Sequence, residues 1–453
     1  MRITRRTVLV GGASLGALAL SGCQPEAKAD DTSGEPESTP ERAPEPAPWA
    51  APGAEDAASF PWGVQTGDAT ESSVLVSVRT LEQSVTVVLV EGVGEEWIEV
   101  DRAEGLVADD GVVQIAFEGL LAETVYAVAA YAPDGERRSL VARFRTALGP
   151  EDWRVVTFGA VSCMAGNQPW PSLSHAAAAN LDFFVLLGDT IYVDYGDDAW
   201  NYEAKWEAAL ATKGLRDVTA STSLVATWDD HEVANNYSFE EDGIDAKFEE
   251  GTVAFRRAIP QGRGPGGTGI WRKASWGRVL DLFALDCRGE RRDGNYISPE
   301  QMAWLKAELS ASTARFKIVL NSVPITDLTA IFGAAQVMDR WQGYPVQREE
   351  ILAHIRDAAI EGVLWITGDV HYAQIGRVDP AGGTAQDQWE VFCGPGGSFL
   401  NVLVEAFVGS EQYELLFAQW NYTRLACDPG AGTVTVTYVG DDGATIAERV
   451  LAL

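Results

Sequence analysis

The chain has 453 residues, 46% of them hydrophobic and 22% charged, which is the composition of a globular protein long enough for two domains. Its formal net charge of −32 opposes binding to nucleic acid and to anionic lipid surfaces. The five cysteines form no CxxC pair, so nothing indicates a zinc ribbon or a dithiol redox motif. We therefore expect no specific nucleic-acid partner, and an anionic substrate would need a local positive charge such as a metal cluster.

The first 23 residues are predicted to be a targeting segment. Arg5 and Arg6 precede an apolar run that ends at Leu20, the pattern of a twin-arginine export signal. The sequence LSGC at 20–23 matches a bacterial lipobox, in which Cys23 is lipidated and the signal is removed; a plain signal peptide with an incidental cysteine is the alternative. These features predict export through the twin-arginine translocase. They also predict a periplasmic or cell-surface lipoprotein held to the membrane only at Cys23.

Residues 24–59 are rich in Pro, Glu, Ala, Asp and Ser and show no apolar periodicity. Such a segment cannot bury a core, so we predict a disordered, acidic tether between the anchor and the folded part.

Residues 60–148 are predicted to form a small all-β domain, because short apolar runs alternate with turn signals. The segment 120–126, which ends in Tyr126, resembles the tyrosine corner of immunoglobulin- and fibronectin-type sandwiches. The predicted strands cover residues 74–78, 85–89, 112–117, 126–131 and 140–144.

Residues 149–453 are predicted to form an α/β domain, because strand and helix patterns alternate. The predicted strands cover residues 154–160, 183–187, 224–227, 279–285, 316–320 and 363–366, with a closing hairpin at 433–438 and 446–453. The predicted helices cover residues 170–179, 198–213, 299–309 and 348–359. Residues 235–275 are glycine-rich and are predicted to be irregular.

The strand at 183–187 organises the prediction of a site. It is apolar throughout, as expected for a strand buried on both faces, and it ends abruptly in Gly188 and Asp189. Asp189 therefore leaves the carboxyl end of a strand, where open α/β sheets bind ligands, and Tyr192 can point into the same crevice. The alternative is a strand followed by a helix with Asp189 as its N-cap.

The other strands of this domain end in similar residues, and their convergence on one rim favours the site over the helix cap. The side chains that follow the strands are those of Cys163, Asp189, Tyr192, Asp230, His231, Arg288, Asn321, Asp369 and His371.

These side chains separate by ligand type. The thiolate, phenolate and imidazole of Cys163, Tyr192 and His371 suit a redox-capable transition ion such as iron. The oxygens of Asp230, Asn321 and Asp369 suit calcium, magnesium or manganese. Asp189 can bridge the two.

The chemistry expected of such a pair is phosphoryl transfer. Two ions roughly 3.5–4 Å apart would activate a water as hydroxide and neutralise a phosphoryl group for in-line attack. His231 could protonate the leaving oxygen or hold a phosphoryl oxygen. Arg288 could clamp the phosphate, in competition with pairing to a carboxylate.

These residues also carry a resemblance to a known family. The motifs GDTIY at 188–192, WDDHEVANN at 228–236 and GDVH at 368–371 resemble the signatures of PhoD-type alkaline phosphatases and phosphodiesterases. This family is a branch of the calcineurin-like metallophosphoesterases and is related to purple acid phosphatases. The segments at 60–70, 284–288 and 321–324 are similar to further family segments.

The resemblance implies an αββα sandwich, preceded here by the small β domain, with an Fe³⁺–Ca²⁺ centre in which the second ion could be Mg²⁺ or Mn²⁺. By match, the iron-side ligands would be Cys163, Asp189, Tyr192 and His371. The calcium-side ligands would be Asp189, Asp230, Asn321 and Asp369.

The sequence thus predicts an exported, monomeric hydrolase of phosphate monoesters or diesters, whose substrate is a small molecule or a polymer. The alternative is a non-catalytic, calcium-binding surface lipoprotein with a degenerate phosphoesterase scaffold.

Overall fold

The computed structural model describes residues 40–42, 44–165, 169–265, 270–333, 336–408 and 412–453. The predicted signal peptide, the lipidation site Cys23 and the first part of the predicted tether lie outside these residues.

The elements of the described residues are numbered here in chain order. The strands are β1 (Ala54–Glu55), β2 (Val64–Gly67), β3 (Ser73–Arg79), β4 (Ser84–Val93), β5 (Glu96–Val107), β6 (Val112–Glu118), β7 (Val125–Tyr131), β8 (Arg137–Arg138), β9 (Ala142–Arg145), β10 (Val156–Val161), β11 (Phe183–Leu187), β12 (Ser223–Thr227), β13 (Arg272–Trp276), β14 (Leu280–Ala284), β15 (Phe316–Leu320), β16 (Val363–Thr367), β17 (Ala373–Arg377), β18 (Trp389–Phe392), β19 (Tyr413–Phe417), β20 (Asn421–Asp428), β21 (Thr433–Gly440) and β22 (Thr445–Ala452). The helices are α1 (Pro171–Ala177), α2 (Tyr202–Ala211), α3 (Lys213–Thr219), α4 (Ile244–Ala258), α5 (Pro299–Ala311), α6 (Thr329–Phe332) and α7 (Pro345–Asp357). None of these helices is long and apolar enough to cross a bilayer.

Two large sheets face each other in the described residues. One has the order β22-β21-β20-β10-β11-β12-β2-β3-β6, and the other has the order β13-β14-β15-β16-β18-β17-β19. Strand β11 shows why they stack, because Phe183, Val185 and Leu187 point into the core between the sheets. Its intervening residues, Phe184 and Leu186, point to the opposite face. An all-apolar strand has two buried faces, and this one therefore requires a layer on each side.

Helices cover both outer faces. Leu173 of α1, Trp206 of α2 and Phe255 of α4 pack in the same core as Phe184 and Leu186. On the other sheet, α5 and α7 pack their apolar residues against β14, β15 and β16. The predicted αββα sandwich is the arrangement observed.

Parallel pairing brings the ends of the central strands to one edge. Strands β10, β11 and β12 are parallel to one another in the first sheet. Strands β14, β15 and β16 are parallel in the second. The loops that follow these six strands carry the predicted site residues.

The N-terminal β region is built from two layers. Strands β1, β4, β5, β7, β8 and β9 form one sheet, which packs on β2, β3 and β6. The amide of Leu121 donates to the hydroxyl of Tyr126 at 2.9 Å, the contact expected of a tyrosine corner. However, β2 also pairs with β12, so this region shares a sheet with the α/β part, and the described residues group into one compact unit. An immunoglobulin- or fibronectin-type domain with a boundary at residue 148 stays a prediction.

The predicted tether extends too far into the fold. Within residues 40–59, Ala54–Glu55 pairs with β8, and Trp49 packs beside β4 and β7. Glu45 forms ion pairs with Arg143 and Arg145. Tertiary ion pairs and one aromatic side chain therefore hold a segment that has no apolar periodicity of its own.

The glycine-rich stretch at 235–275 was predicted to be irregular. This prediction is wrong, since the stretch contains α4 and the start of β13. Gly251 lies inside α4, where glycine ordinarily weakens a helix. A Cβ at Gly251 would lie 2.6 Å from the carbonyl oxygen of Glu232, so glycine is required for α4 to pack against that loop.

Candidate metal centre

The loops at the carboxyl edge hold several side chains on strained backbone. Cys163, Asp189, Asp369 and His371 adopt the left-handed region, with φ of 56°, 54°, 69° and 62°. Non-glycine residues rarely occupy it, and such conformations concentrate at functional sites. No helix follows Asp189 directly, since residues 188–201 are turns and bends, so the helix-cap alternative is excluded.

The predicted iron-side residues lie together. Ligand atoms of Cys163, Asp189 and His371 all lie within 4.8 Å of one another. The hydroxyl of Tyr192 donates to Oδ2 of Asp189 at 3.1 Å and lies 3.2 Å from Nε2 of His371. One thiol, one carboxylate, one phenol and one imidazole therefore converge, which is a donor set suited to a transition ion.

A second set of donors adjoins the first. Ligand atoms of Asp229, Asp230 and Asp369 form one group within 4.8 Å, and those of Asp189, Asp230 and His231 form another. Asp189 belongs both to the group of Cys163 and to the group of Asp230, which is the position a bridging carboxylate requires. The acidic group offers hard oxygens, which suit Ca²⁺, Mg²⁺ or Mn²⁺.

Asn321 does not offer its oxygen to this cluster. Its Oδ1 accepts hydrogen bonds from Nε1 of Trp341 at 3.1 Å and from Sγ of Cys287 at 3.0 Å. Its Nδ2 is buried without a partner among the described residues. Two distant side chains thus occupy the oxygen, which the sequence could not show. Asn321 as a calcium ligand stays a prediction.

Arg288 lies behind the carboxylates. It is completely buried and pairs with Asp229 and Asp339. Its Nη2 lies 3.5 Å from Asp230 and 3.4 Å from Asp369. Arg288 therefore offsets part of the negative charge of the acidic group. The predicted phosphate clamp is not the arrangement observed, because all the nitrogens of Arg288 face carboxylates.

Glu232 ties two of the loops together. Its carboxylate accepts from the backbone amides of Asp189 at 3.0 Å, Thr190 at 2.6 Å and Asp229 at 2.9 Å. Both strand-end loops are therefore fixed to one buried side chain.

His231 is oriented by a residue that the motif analysis did not single out. Its Nδ1 lies 2.7 Å from Oδ1 of Asp194, and its ring stacks on that of Tyr192 with centroids 4.0 Å apart. Burial lowers the pKa of His231, but the hydrogen bond of Asp194 and the charges of Asp230 and Asp194 outweigh it and raise the pKa overall. Asp194 lies two residues after Tyr192 on the same loop, and only its acidic type could have drawn attention to it.

The carboxylates of the cluster need a cation. Burial, followed by the charges of Asp230 and Asp229, raises the pKa of Asp189 well above its ordinary value. Burial likewise raises the pKa of Asp369 well above that of a free aspartate, with the charge of Asp229 adding to it. Oδ1 of Asp189 is buried and has no hydrogen-bond partner among the described residues. A buried, unpaired carboxylate oxygen among like charges is the arrangement that a bound metal ion stabilises, so the residues fit the implied metals.

His371 suits the role of a neutral ligand. Burial and the neighbouring His231 lower its pKa to about 4, so the imidazole is uncharged at neutral pH and retains a lone pair.

A cavity of about 330 Å³ opens on the cluster. It is lined by Asp189, Asp230, His231, Asp369 and His371. Its other lining residues were not predicted individually as site residues, although Asn235, Asn236 and Val370 belong to the quoted motifs; they are Tyr195, Asn235, Asn236, Phe332, Gln336, Asp339, Arg340, Val370, Phe399 and Asn401. Arg340 is the arginine among these described lining residues, whereas Arg288, the arginine that was expected to contact phosphate, does not line the cavity. No motif marks it, because it lies far along the chain from the other loops.

Comparison with known proteins identifies the family of the chain. The family model described as PhoD-like phosphatase matches residues 158–410, which include every one of the predicted metal-ligand positions. The chain belongs to the PhoD-like phosphatase family. The resemblance inferred from the three motifs is therefore confirmed.

Individual relatives agree with the family. Alkaline phosphatase D of Bacillus subtilis (strain 168) is 26% identical over 268 residues, which cover 48% of this chain and 46% of that protein. The match thus spans less than half the length of this relative.

Two solved structures share the fold. A structure of PhoD superposes with a TM-score of 0.74 at 22% identity, covering 86% of this chain and 89% of the other. The purple acid phosphatase PPD1 from yellow lupin seeds superposes with a TM-score of 0.61 at 13% identity, covering 86% and 73%. Both likenesses support a metallophosphoesterase-like α/β fold.

Proposed function

We propose that this member of the PhoD-like phosphatase family is an exported, metal-dependent phosphoesterase that hydrolyses phosphate monoesters, diesters or both. The observation that carries the proposal is the convergence of unlike donors at one sheet edge, with Asp189 shared between a thiol–imidazole group and a carboxylate group. The family and the relative named alkaline phosphatase D support the same reaction class.

We assign Fe³⁺ to the side of Cys163, Tyr192 and His371, and Ca²⁺ to the side of Asp230 and Asp369; Mg²⁺ or Mn²⁺ also suits the second side. Such ions supply an activated water and neutralise the phosphoryl group. The negative field of the carboxylates would repel a phosphate ester without them.

The remaining side chains of the cavity position the substrate. His231, held through Nδ1 by Asp194, keeps its other ring nitrogen for a proton transfer to the leaving oxygen or a hydrogen bond to a phosphoryl oxygen. Arg340 lines the same cavity and contributes positive charge for the phosphate. Arg288 and Glu232 keep the carboxylates and the loops in place.

Hydrolysis of p-nitrophenyl phosphate and bis-p-nitrophenyl phosphate by the purified protein tests the proposal. We expect turnover that a chelator abolishes and that added metal restores. A folded protein that turns over neither ester under any metal supplement would contradict it. Comparing the two rates also decides between monoester and diester preference.

Asp189→Asn is the matched test of the shared carboxylate. We expect it to lower kcat by about 10³-fold or more, since it removes a charged metal ligand that the Cys163 group and the Asp230 group share. Asp293→Asn is the control, because Asp293 also has a left-handed φ, of 54°, but is exposed and outside the cluster. It should leave the rate unchanged.

The export route and the anchor are proposed from residues 1–23 alone. Replacing Arg5 and Arg6 by lysine should block export, and Cys23→Ala should release active protein from the membrane fraction. Membrane retention of the Cys23→Ala protein would refute the anchor.

A further inference from the structure

We propose that a second cavity beside the catalytic one binds the organic group of the ester, and that Tyr195 and Phe399 select esters whose organic group is uncharged and apolar or aromatic. The inference rests on the proposed phosphoesterase function, since it assigns the part of the substrate that the metal centre does not hold.

The second cavity adjoins the catalytic one, because the two share lining residues. It has a volume of about 690 Å³, within the range of small-molecule pockets. Tyr195 and Phe399 line both this cavity and the catalytic one. Tyr192, the candidate iron ligand, also lines it. An ester with its phosphorus at the metal centre would therefore place its organic group at the mouth of this cavity.

The two cavities differ in polarity. The catalytic cavity is lined by carboxylates, asparagines, histidines and an arginine. Much of the wall of the second consists of apolar side chains, namely Met164, Ala165, Trp170, Ile191, Ala208 and Ala209. The first therefore suits the phosphoryl group, and the second suits a group that gains free energy by leaving water.

The charges of the second cavity exclude a further anion. Lys205 is the basic side chain among its described lining residues, and its Nζ is 2.5 Å from Asp198 and donates to the carbonyl of Tyr195 at 2.6 Å. Asp197 adds a negative charge at the same end. A second phosphate, as in a pyrophosphate or a nucleoside triphosphate, would meet net negative charge there.

The two aromatic side chains are exposed although they flank buried ligands. Tyr195 is 52% exposed and Phe399 is 67% exposed. The ring of Phe399 lies edge-on to that of His371, with centroids 4.1 Å apart, and the ring of Tyr195 lies 5.5 Å from that of His231. Exposed aromatic rings beside the two histidines of a polar site offer a planar or apolar group surfaces to pack on.

Hydrogen bonds attach the segments that carry both rings to the surrounding structure. The amide of Asn401, two residues after Phe399, donates to the carbonyl of His371 at 3.1 Å. Lys205 fixes the carbonyl of Tyr195. The aromatic pair is therefore tied to the loops that carry the donors.

Equilibrium binding of two phosphonates to the metal-loaded, full-length protein tests this assignment. Benzylphosphonate and methylphosphonate share the anionic group and differ only in the ring. By calorimetry we expect the wild type to bind benzylphosphonate about tenfold more tightly. Tyr195→Ala and Phe399→Ala should each reduce that preference, measured as the ratio of benzylphosphonate to methylphosphonate affinity, by severalfold.

Matched control variants distinguish the loss of ring packing against the ligand from a general disturbance of the structure. Tyr195→Phe keeps the ring and should keep the benzyl preference. Leu403→Ala changes an exposed side chain four residues from Phe399 that lines neither cavity, and it should have no effect. In turnover, the alanine variants should raise KM for p-nitrophenyl phosphate by a larger factor than KM for glycerol 3-phosphate.

The outcomes distinguish this inference from the proposed function. Affinity for methylphosphonate reports on the phosphoryl site, whereas the benzyl-to-methyl ratio reports on the second cavity. Equal affinities in the wild type, or a benzyl preference that survives in both alanine variants, would overturn the second-cavity assignment while leaving the phosphoesterase standing. A wild type that binds neither phosphonate would overturn both.

Discussion

The two aspartates at the ends of strand β11 show how one buried residue type serves two purposes. Asp182 directly precedes the strand, and Asp189 follows it by two residues. They are 2% and 1% exposed, respectively. Their surroundings differ in every other respect.

Asp182 is fully satisfied. Arg154 donates to its two oxygens at 3.0 and 2.7 Å, and the amide of Thr157 donates at 2.9 Å. Burial raises the pKa of Asp182, but Arg154 outweighs it, so the pKa lies below the ordinary value. This carboxylate stabilises the amino end of the sandwich.

Asp189 is left unsatisfied. Its backbone is left-handed, one oxygen has no described partner, and burial with neighbouring carboxylates raises its pKa. Conformational strain and unpaired charge at one residue are costs that a bound ligand offsets. The comparison indicates that stability is built at the amino end of β11 and function at its carboxyl end.

Asp182→Asn should have the largest effect on folding. It removes one of the two carboxylates that pair with the buried guanidinium of Arg154 and leaves the partly exposed Glu123 as the other. We expect a cost of about 3 kcal/mol, the lower end of the range for breaking a buried pair. Denaturant unfolding measures the loss, with Asp293→Asn as the exposed control. The kcat of the protein that remains folded should be unchanged; a stable Asp182→Asn protein would break the contrast between the two ends.

His231→Gln should act on turnover and leave stability nearly intact. Loss of a positioned proton donor lowers kcat by about 10²-fold or more. Steady-state kinetics on p-nitrophenyl phosphate measure it. His175→Gln, on the exposed surface of α1, is the histidine control. An unchanged kcat would remove His231 from the mechanism.

Glu232→Gln should lower activity by about 10–100-fold, because residues that orient metal ligands typically contribute that much. The variant puts an amide N–H₂ near the amides of Asp189, Thr190 and Asp229, which need acceptors. Glu104→Gln on exposed β5 is the control. If metal content and rate both survive, Glu232 does not hold the loops as described.

The pH dependence of the unfolding free energy tests whether Asp182 is ionised and salt-bridged in the folded protein. Because its folded pKa is depressed, its contribution is present above the unfolded value near 3.8 and is lost as pH falls through the folded pKa. The difference in unfolding free energy between wild type and Asp182→Asn should be constant above about pH 5 and shrink below pH 4. A constant difference down to pH 2 would contradict a salt-bridged Asp182.

The sequence alone could predict the parts of this site that depend on local pattern. An apolar run ending in Gly-Asp locates β11 and Asp189, and parallel strands bring Cys163, Asp230 and Asp369 to the same edge. It could not predict contacts between loops distant in the chain. The enclosure of Arg288 by four carboxylates, the use of the Asn321 oxygen by Trp341 and the entry of Arg340 into the cavity all depend on tertiary packing.

The missed helix α4 has a different cause. The glycines of residues 235–275 were taken as a sign of irregular chain, whereas Gly251, the one glycine within α4, serves a close helix–loop contact beside Glu232. The low helix propensity of glycine argued against a helix here, but packing requires glycine at position 251.

Elemental analysis of three purified proteins tests the central claim most directly. The wild type and Asp182→Asn should each contain at least two metal ions per folded chain, iron together with calcium, magnesium or manganese. Asp189→Asn should lose most of that complement while remaining folded. A folded wild type without bound metal, or an Asp189→Asn protein with the full complement, would contradict a metal centre at the carboxyl end of β11.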